Sequence, residues 1–371
     1  MTDPELCFLE SDNYPYRAIV PPIVQSSLFT WDDLEQFLKR GELEGWDYTR
    51  VGNPTIDVAE RIIAQAEGAE KCMLFASGMA AVSAAVLACV KSGDHVVAVE
   101  TCYGPTREFL TDYLSRFGVT VEFVSGEYPE KFRKPAKLYY LESPSSIFFN
   151  LQDIQQVAAV AKETGALVVI DNSWATPLYQ NPISMGVDLV IHSTSKYLGG
   201  HSDIMGGAVA GRRELMEKVG VERRTLGGCA DPFAAYLLIR GLRTLPVRMA
   251  RHQETGLALA SALAERPYVD AVNHPGLESH PQFELGKRQM RGYSGLFSFW
   301  LKPASRESVV RAINSLRRFR IGPSWGGPES LVVAFPEEQP PHRWVVRLSV
   351  GLEPASALLD DLDAAFDGFG A

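Results

Sequence analysis

VDLVIHSTSKYLGGHSD, residues 187–203, is the stretch whose reading decides the fold. A short, mostly apolar run from Val187 to Ile191 gives way to His192, Ser193, Thr194 and Ser195, then to Lys196, and closes on the pair Gly199-Gly200. Continuous β-branched runs of this length read as strands buried on both faces, the pattern of a parallel sheet covered by helices. The same unit recurs upstream. LVVIDN (167–172), VTVEFV (119–124), KLYYLE (137–142), HVVAVE (95–100) and KCMLFAS (71–77) are all strand-like. Helix-period segments separate them. Asn53-Pro54 is a good N-cap and first-turn pair, with Ile56, Ile62, Ile63 and Ala66 on one face and Gly68 as a C-cap. GMAAVSAAVLACV (78–90), PTREFLTDYLSRFG (105–118) and Asp153 to Thr164, stopped by Gly165, supply further helices. This alternation predicts an α/β fold on a mostly parallel sheet. Ligands of such sheets sit beyond the carboxyl ends of the strands. Ser77, Glu100, Glu142, Asp171 and Ser193 end strand-like runs and form the expected site wall.

Either side of this region the character changes. Residues 1–47 contain PPIVQSSLF and WDDLEQFLKR without regular alternation and read as an arm. Residues 48–231 form the expected large domain, and residues 232–371 a smaller α+β one. In that part RGLRTLPVRMARHQETGLALASALAERP is a long helical segment broken by Pro246. GLFSFWL (295–301) and WVVRLSVGL (344–352) are strand-like, and Leu358, Leu359, Leu362 and Phe366 line one face of a closing helix.

Composition narrows the class. The 371 residues carry a formal net charge of −9, which argues against a nucleic-acid binder, since phosphate-backbone partners need a basic surface. SLRRFR (315–320) is most simply a solvated face. The five cysteines (Cys7, Cys72, Cys89, Cys102, Cys229) are scattered and never in a C-x-x-C pair, which fits reduced thiols in a cytosol. The acidic N-terminus lacks the basic and apolar regions of a signal peptide. The longest apolar stretch, Phe75 to Val90, is interrupted by Ser77, Gly78 and Ser83 and is too short for a membrane span. A cytoplasmic protein with no membrane or nucleic-acid partner is expected.

Lys196 and Asp171 carry the chemistry. A desolvated lysine among small residues suits a Schiff base, because burial lowers its pKa and frees the amine as a nucleophile. Pyridoxal phosphate (PLP) needs such a lysine, and also a carboxylate that keeps its pyridine nitrogen protonated. Alone, each residue has an ordinary reading, a surface lysine and a strand-end cap; their places at the ends of two strands favour the cofactor. Ser77-Gly78-Met79, where a strand passes into a helix, has the free N–H groups that hold a phosphate. Arg50 can add a bidentate cation. His192 and His201 flank the lysine without a third ligand at metal spacing, so no metal is expected. The pairs Gly199-Gly200 and Gly206-Gly207 do not fit a dinucleotide fingerprint, and Ser195 lacks a nucleophile elbow.

At these residues the chain resembles a known family. YTRVGNPT (48–55), ASGMAA (76–81), TCYGPT (101–106), LESPSS (141–146), VVIDNSWATP (168–177), HSTSKYLGGHSD (192–203) and VRLSVGLE (346–353) resemble, in order, the Cys/Met-metabolism PLP enzymes. These include cystathionine γ-synthases, β-lyases and γ-lyases and methionine γ-lyases. The resemblance implies a type I PLP fold, of the aspartate aminotransferase kind, and a homotetramer of two tight dimers in which each arm helps to build the neighbouring site. It makes Lys196 the Schiff-base lysine and Asp171 the pyridine-nitrogen partner. Ser77, Gly78, Met79, Ser193 and Ser195 would hold the phosphate, with Tyr48 and Arg50 reaching it from the adjacent subunit. Tyr103 would stack on the ring and serve as an acid for the leaving group. Arg347, helped by Ser324, would grip the substrate carboxylate.

Within the family, IGPSWGGPESL (321–331) discriminates. γ-Synthases and cystathionine γ-lyases typically carry a glutamate before that serine and a leucine after it; here Pro323 and Trp325 flank Ser324, and SWGG resembles β-lyases. Ser146, GLRTLPVR (241–248) and SGLFSFWL (294–301) lean the same way. Pro328, where β-lyases usually have an aromatic, departs from that pattern, as does the short, proline-rich segment from Leu331 to Val346. The expectation is a carbon–sulfur lyase acting by β-elimination on cystathionine or a related cysteine conjugate. The alternatives are γ-elimination or γ-replacement on a homoserine-derived amino acid, and a non-catalytic binding protein on the same fold.

Overall fold

The computed structural model describes residues 4–9, 14–337 and 343–369. Residues 338–342, within the short proline-rich segment, lie outside the described residues, as do parts of the arm.

Seven strands build the larger sheet: β1 (Lys71–Phe75), β2 (His95–Val99), β3 (Thr120–Val124), β4 (Leu138–Glu142), β5 (Leu167–Asp171), β6 (Leu189–His192) and β7 (Gly207–Gly211). Their spatial order is β1-β7-β6-β5-β4-β2-β3. Strands β2 to β6 are mutually parallel, as the apolar runs predict. Strand β7 runs antiparallel to both neighbours, β1 and β6, so the sheet is mixed. Its sequence, GAVAG, has too much glycine to read as a strand, and that is why it escapes a propensity-based reading. The glycines are there for close approach. A Cβ on Gly207 would lie 2.4 Å from the Ser77 carbonyl oxygen and 2.8 Å from Ala81 Cβ; one on Gly211 would lie 2.5 Å from the Asp188 carbonyl oxygen.

The helices start and stop where the local chemistry says. In the helix Pro54–Glu67, Asn53 Oδ1 accepts the Thr55 N–H at 2.9 Å, and Gly68 ends the helix at φ 66°. The helix Gly78–Leu87 begins on Ser77, whose Oγ accepts the Ala80 N–H at 3.0 Å. Its Ala81, Ala84 and Ala85 are fully buried, so small side chains let it lie close on the sheet. The helix expected over 105–118 contains a π turn, Phe109–Tyr113, after the α-helical Gly104–Glu108. The long segment around Pro246 resolves into two helices, Pro232–Leu242 and Leu245–Ala264, with the proline in the first turn of the second, where its missing N–H is harmless.

The C-terminal part holds a five-stranded sheet: β8 (Val269–Asn273), β9 (Leu296–Leu301), β10 (Arg320–Ile321), β11 (Leu331–Pro336) and β12 (Trp344–Ser349), in the order β10-β11-β12-β9-β8. Its contacts are antiparallel apart from β10 on β11. The closing helix Ala355–Ala365 buries Leu358 and Leu362. One apolar core lies within the large sheet and its helices. A second runs from the helix Pro54–Glu67 into the C-terminal sheet and joins the two parts.

Candidate active site

A cavity of about 250 Å³ opens at the carboxyl ends of the parallel strands, where it meets the second sheet. Four of the five expected strand-end residues, Ser77, Glu142, Asp171 and Ser193, line it. Glu100 does not: it is exposed, its carbonyl takes a hydrogen bond from Arg107 at 3.0 Å, and it is Tyr103, three residues on, that brings the chain beyond β2 to the cavity.

Lys196 follows the short loop after β6 and reaches into this cavity. Its Nζ donates to Ser324 Oγ at 2.7 Å and lies 5.3 Å from the Trp325 ring centre. Burial lowers its pKa to about 8, the Arg347 charge pushes the same way, and Asp171 opposes both. The amine is therefore far closer to neutrality than a surface lysine. Asp171 ends β5, and its Oδ1 accepts the Ser173 N–H at 2.9 Å. Burial raises its pKa, while donation from Ser173 and the neighbouring His192 and Lys196 pull it down.

The start of the helix Gly78–Leu87 forms a polar cradle beside Lys196. Among the described residues the N–H groups of Gly78 and Met79 have no partner in the chain, as the first turn of a helix dictates. A Cβ on Gly78 would stand 3.1 Å from Ser193 Oγ, so glycine is what lets the helix start meet that hydroxyl. Ser195 Oγ accepts the Gly206 N–H at 2.9 Å and fixes the loop between β6 and β7. Tyr103, half-exposed, sits over the mouth at the start of the helix Gly104–Glu108. Arg347, on the central strand β12, is 8% exposed; its two Nη groups donate to the carbonyls of Ser146 at 3.2 Å and Pro323 at 2.5 Å. Those bonds aim the guanidinium and leave it without a carboxylate partner in either contact.

Lys196, Asp171, Ser77, Gly78, Met79, Ser193, Ser195, Tyr103, Trp325 and Arg347 are thus brought together, with Ser324 bonded to the lysine behind them. Tyr48 and Arg50 are not. Tyr48 pairs with Leu28 and is 44% exposed. Arg50 donates to the Arg224 carbonyl at 3.0 Å and borders a separate, open cleft of about 900 Å³ that has neither the lysine nor Asp171. His192 is fully buried with Nε2 2.5 Å from Glu67 Oε1, and His201 turns to the Gly199 carbonyl. No group of three metal-ligating side chains occurs among the described residues. The site also contains residues that the sequence reading did not single out. Ser173 is one, and a hydroxyl two places after a strand-end aspartate is the sign of the turn it makes. Trp174, Val82 and Met205 also line the cavity and carry no such signal.

These groups fit pyridoxal phosphate: an amine close to neutrality, a buried carboxyl lining the same cavity, and open N–H groups where a glycine permits close approach. Residues 8–367 match the family model described as Cys/Met metabolism PLP-dependent enzyme. The chain belongs to this family. As a Cys/Met PLP-dependent enzyme it is 39% identical to an L-methionine gamma-lyase of Treponema denticola, over 95% of this chain and 93% of that one. It is 38% identical to a putative cystathionine beta-lyase of Rhizobium johnstonii, over 97% and 94%. The solved cystathionine gamma synthase from Xanthomonas oryzae pv. oryzae in complex with aminoacrylate and cysteine superposes with a TM-score of 0.91 at 33% identity, covering 98% of this chain and 97% of that one. The type I PLP fold, the cofactor and membership of the lyase and synthase group follow for this Cys/Met PLP-dependent enzyme.

Proposed function

We propose that the protein is a carbon–sulfur lyase that acts by β-elimination on cystathionine or a related cysteine thioether. A thioether R–S–CH2–CH(NH3+)–COO− and water then give a thiol, pyruvate and ammonium. The observation that carries this reading is the wall beside Lys196, built from Pro323 and the closed, 9%-exposed Trp325 ring. It offers an apolar surface where, by the family resemblance, γ-synthases and cystathionine γ-lyases typically carry a glutamate.

When bound, PLP supplies an electron sink that stabilises negative charge at the substrate Cα. Asp171 would keep that sink effective by pairing with the ring nitrogen, and Ser77, Gly78, Met79, Ser193 and Ser195 would hold the phosphate. Tyr48 and Arg50 would complete the phosphate site from an adjacent subunit of a homotetramer. Arg347 would hold the substrate carboxylate, with Ser324 and Trp325 beside it. Lys196 Nζ, oriented by Ser324, takes the Cα proton, and Tyr103 delivers a proton to the departing sulfur. With a partition at residues 47 and 231, this chemistry would lie between a large and a small domain. None of the five cysteines is in a disulfide among the described residues, which supports a reducing compartment such as the cytoplasm. Among the described residues no helix is long and apolar enough to cross a membrane.

A second reading, γ-elimination or γ-replacement on a homoserine-derived amino acid, is favoured by the similarity to L-methionine gamma-lyases. Product analysis separates the two. Purified holoenzyme with cystathionine is expected to release pyruvate and homocysteine. Release of 2-oxobutyrate and cysteine, or of 2-oxobutyrate from methionine at a higher rate, would sink the β-elimination reading.

A further inference from the structure

Glu142 lines the cavity at the end of β4, directly beside Asp171 in register, yet the chemistry above leaves it without a task. Its carboxylate is 5% exposed. One oxygen, Oε2, accepts the Tyr103 N–H at 2.7 Å. Ser146 faces the same carboxyl, and its N–H and hydroxyl favour the charged form and draw the Glu142 pKa down. Ser146 in turn gives its carbonyl oxygen to Arg347 Nη1 at 3.2 Å. A single buried side chain therefore stands between the first residue of the Tyr103 loop and the loop that aims Arg347.

We infer that Glu142 is the positioning residue that sets the Tyr103 ring and the Arg347 guanidinium against each other, so that the proton donor and the carboxylate grip keep a fixed spacing. The assignment of a donor and a grip rests on the lyase reading above; the tether itself does not. Tyr103 is half-exposed, so its pose depends in part on the backbone at its own N–H. No side chain caps the short helix that Tyr103 opens, which leaves the Glu142 carboxylate as the named anchor of that turn. Burial and the adjacent Asp171 charge push the Glu142 carboxyl up to about 8, against the pull of Tyr103 and Ser146. Part of that cost is offset by the Tyr103 N–H that the carboxyl accepts.

The test uses holoenzyme with Glu142→Ala and Glu142→Gln. Alanine removes every acceptor; glutamine keeps one. In the alanine variant, amide hydrogen exchange at Tyr103 is expected to quicken at least about tenfold, with no change in the helix Ile154–Thr164. The substrate KM is expected to rise about tenfold through Arg347, and kcat to fall about tenfold through Tyr103. Glutamine is expected to recover part of both changes. Unaltered exchange at Tyr103 in the alanine variant would overturn the inference, as would a glutamine variant that loses as much kcat while its Tyr103 amide stays protected. Exchange is read without regard to which product forms, so failure of the tether and failure of the β-elimination reading are told apart.

Discussion

Lys196 is held where its ordinary pKa of 10.5 falls to about 8, chiefly by burial. Only the neutral amine attacks a carbonyl, and its fraction rises about tenfold per pH unit below the pKa and levels off above it. The rate at which cofactor-free protein takes up PLP is therefore expected to climb from pH 6 and flatten just above pH 8. Growth of the visible band on mixing measures it; a rate still climbing at pH 10 would mean an ordinary lysine. Arg347 makes a second expectation at this scale. Its fork is already shared between two carbonyls, and a lysine ammonium cannot reproduce a planar two-point grip on a carboxylate. Arg347→Lys is expected to raise the substrate KM about tenfold or more while kcat moves much less. Steady-state kinetics decides, and a fall in kcat at constant KM would remove Arg347 from substrate binding.

At the scale of elements, the parallel core and its caps were legible because each signal is local: β-branched runs, Asn53 before Pro54, Gly68 and Gly165 after their helices. Lys196, Asp171 and the Ser77 turn were legible for the same reason, each standing at the end of such a run. Strand β7 was not, because its glycines answer to Ser77 and Asp188, far away in sequence. Glu100 was misplaced by three residues: the chain beyond β2 reaches the cavity at Tyr103, and a strand-like run does not show which residue past its end turns inward. Ser173 and Trp174 were hidden by lying just past the strand end that was read. The β7 contact can be tested. Gly207→Ala would force Ser77 and Ala81 apart and is expected to destabilise the fold by about 1–3 kcal/mol. Because Ser77 opens the proposed phosphate cradle, PLP affinity is expected to fall as well. Thermal unfolding and cofactor titration check both, and unchanged affinity would detach the cradle from β7.

At the scale of the whole molecule, the arm leaves much apolar surface uncovered: Tyr16 is 97% exposed, Ile19 75% and Leu34 70%. Surface of that kind is the mark of an interface, and it supports the proposed assembly in which Tyr48 and Arg50 serve a neighbour. Mixing Lys196→Ala chains with Arg50→Ala chains, each inactive alone, and re-forming the oligomer is expected to restore about a quarter of wild-type activity. Half of randomly paired dimers are mixed, and each mixed dimer holds one intact site of two. No recovery would place Arg50 in its own chain's chemistry. The seating of β7 between β1 and β6 also governs the order in which the molecule can be completed. During synthesis β1 emerges early, but its place in the large sheet does not exist until residue 211 has been made. A nascent chain ending before Gly207 carries both Ser77 and Lys196, yet it lacks the strand that brings them together. The cofactor site is thus a late product of chain elongation, assembled in one step from pieces made more than a hundred residues apart.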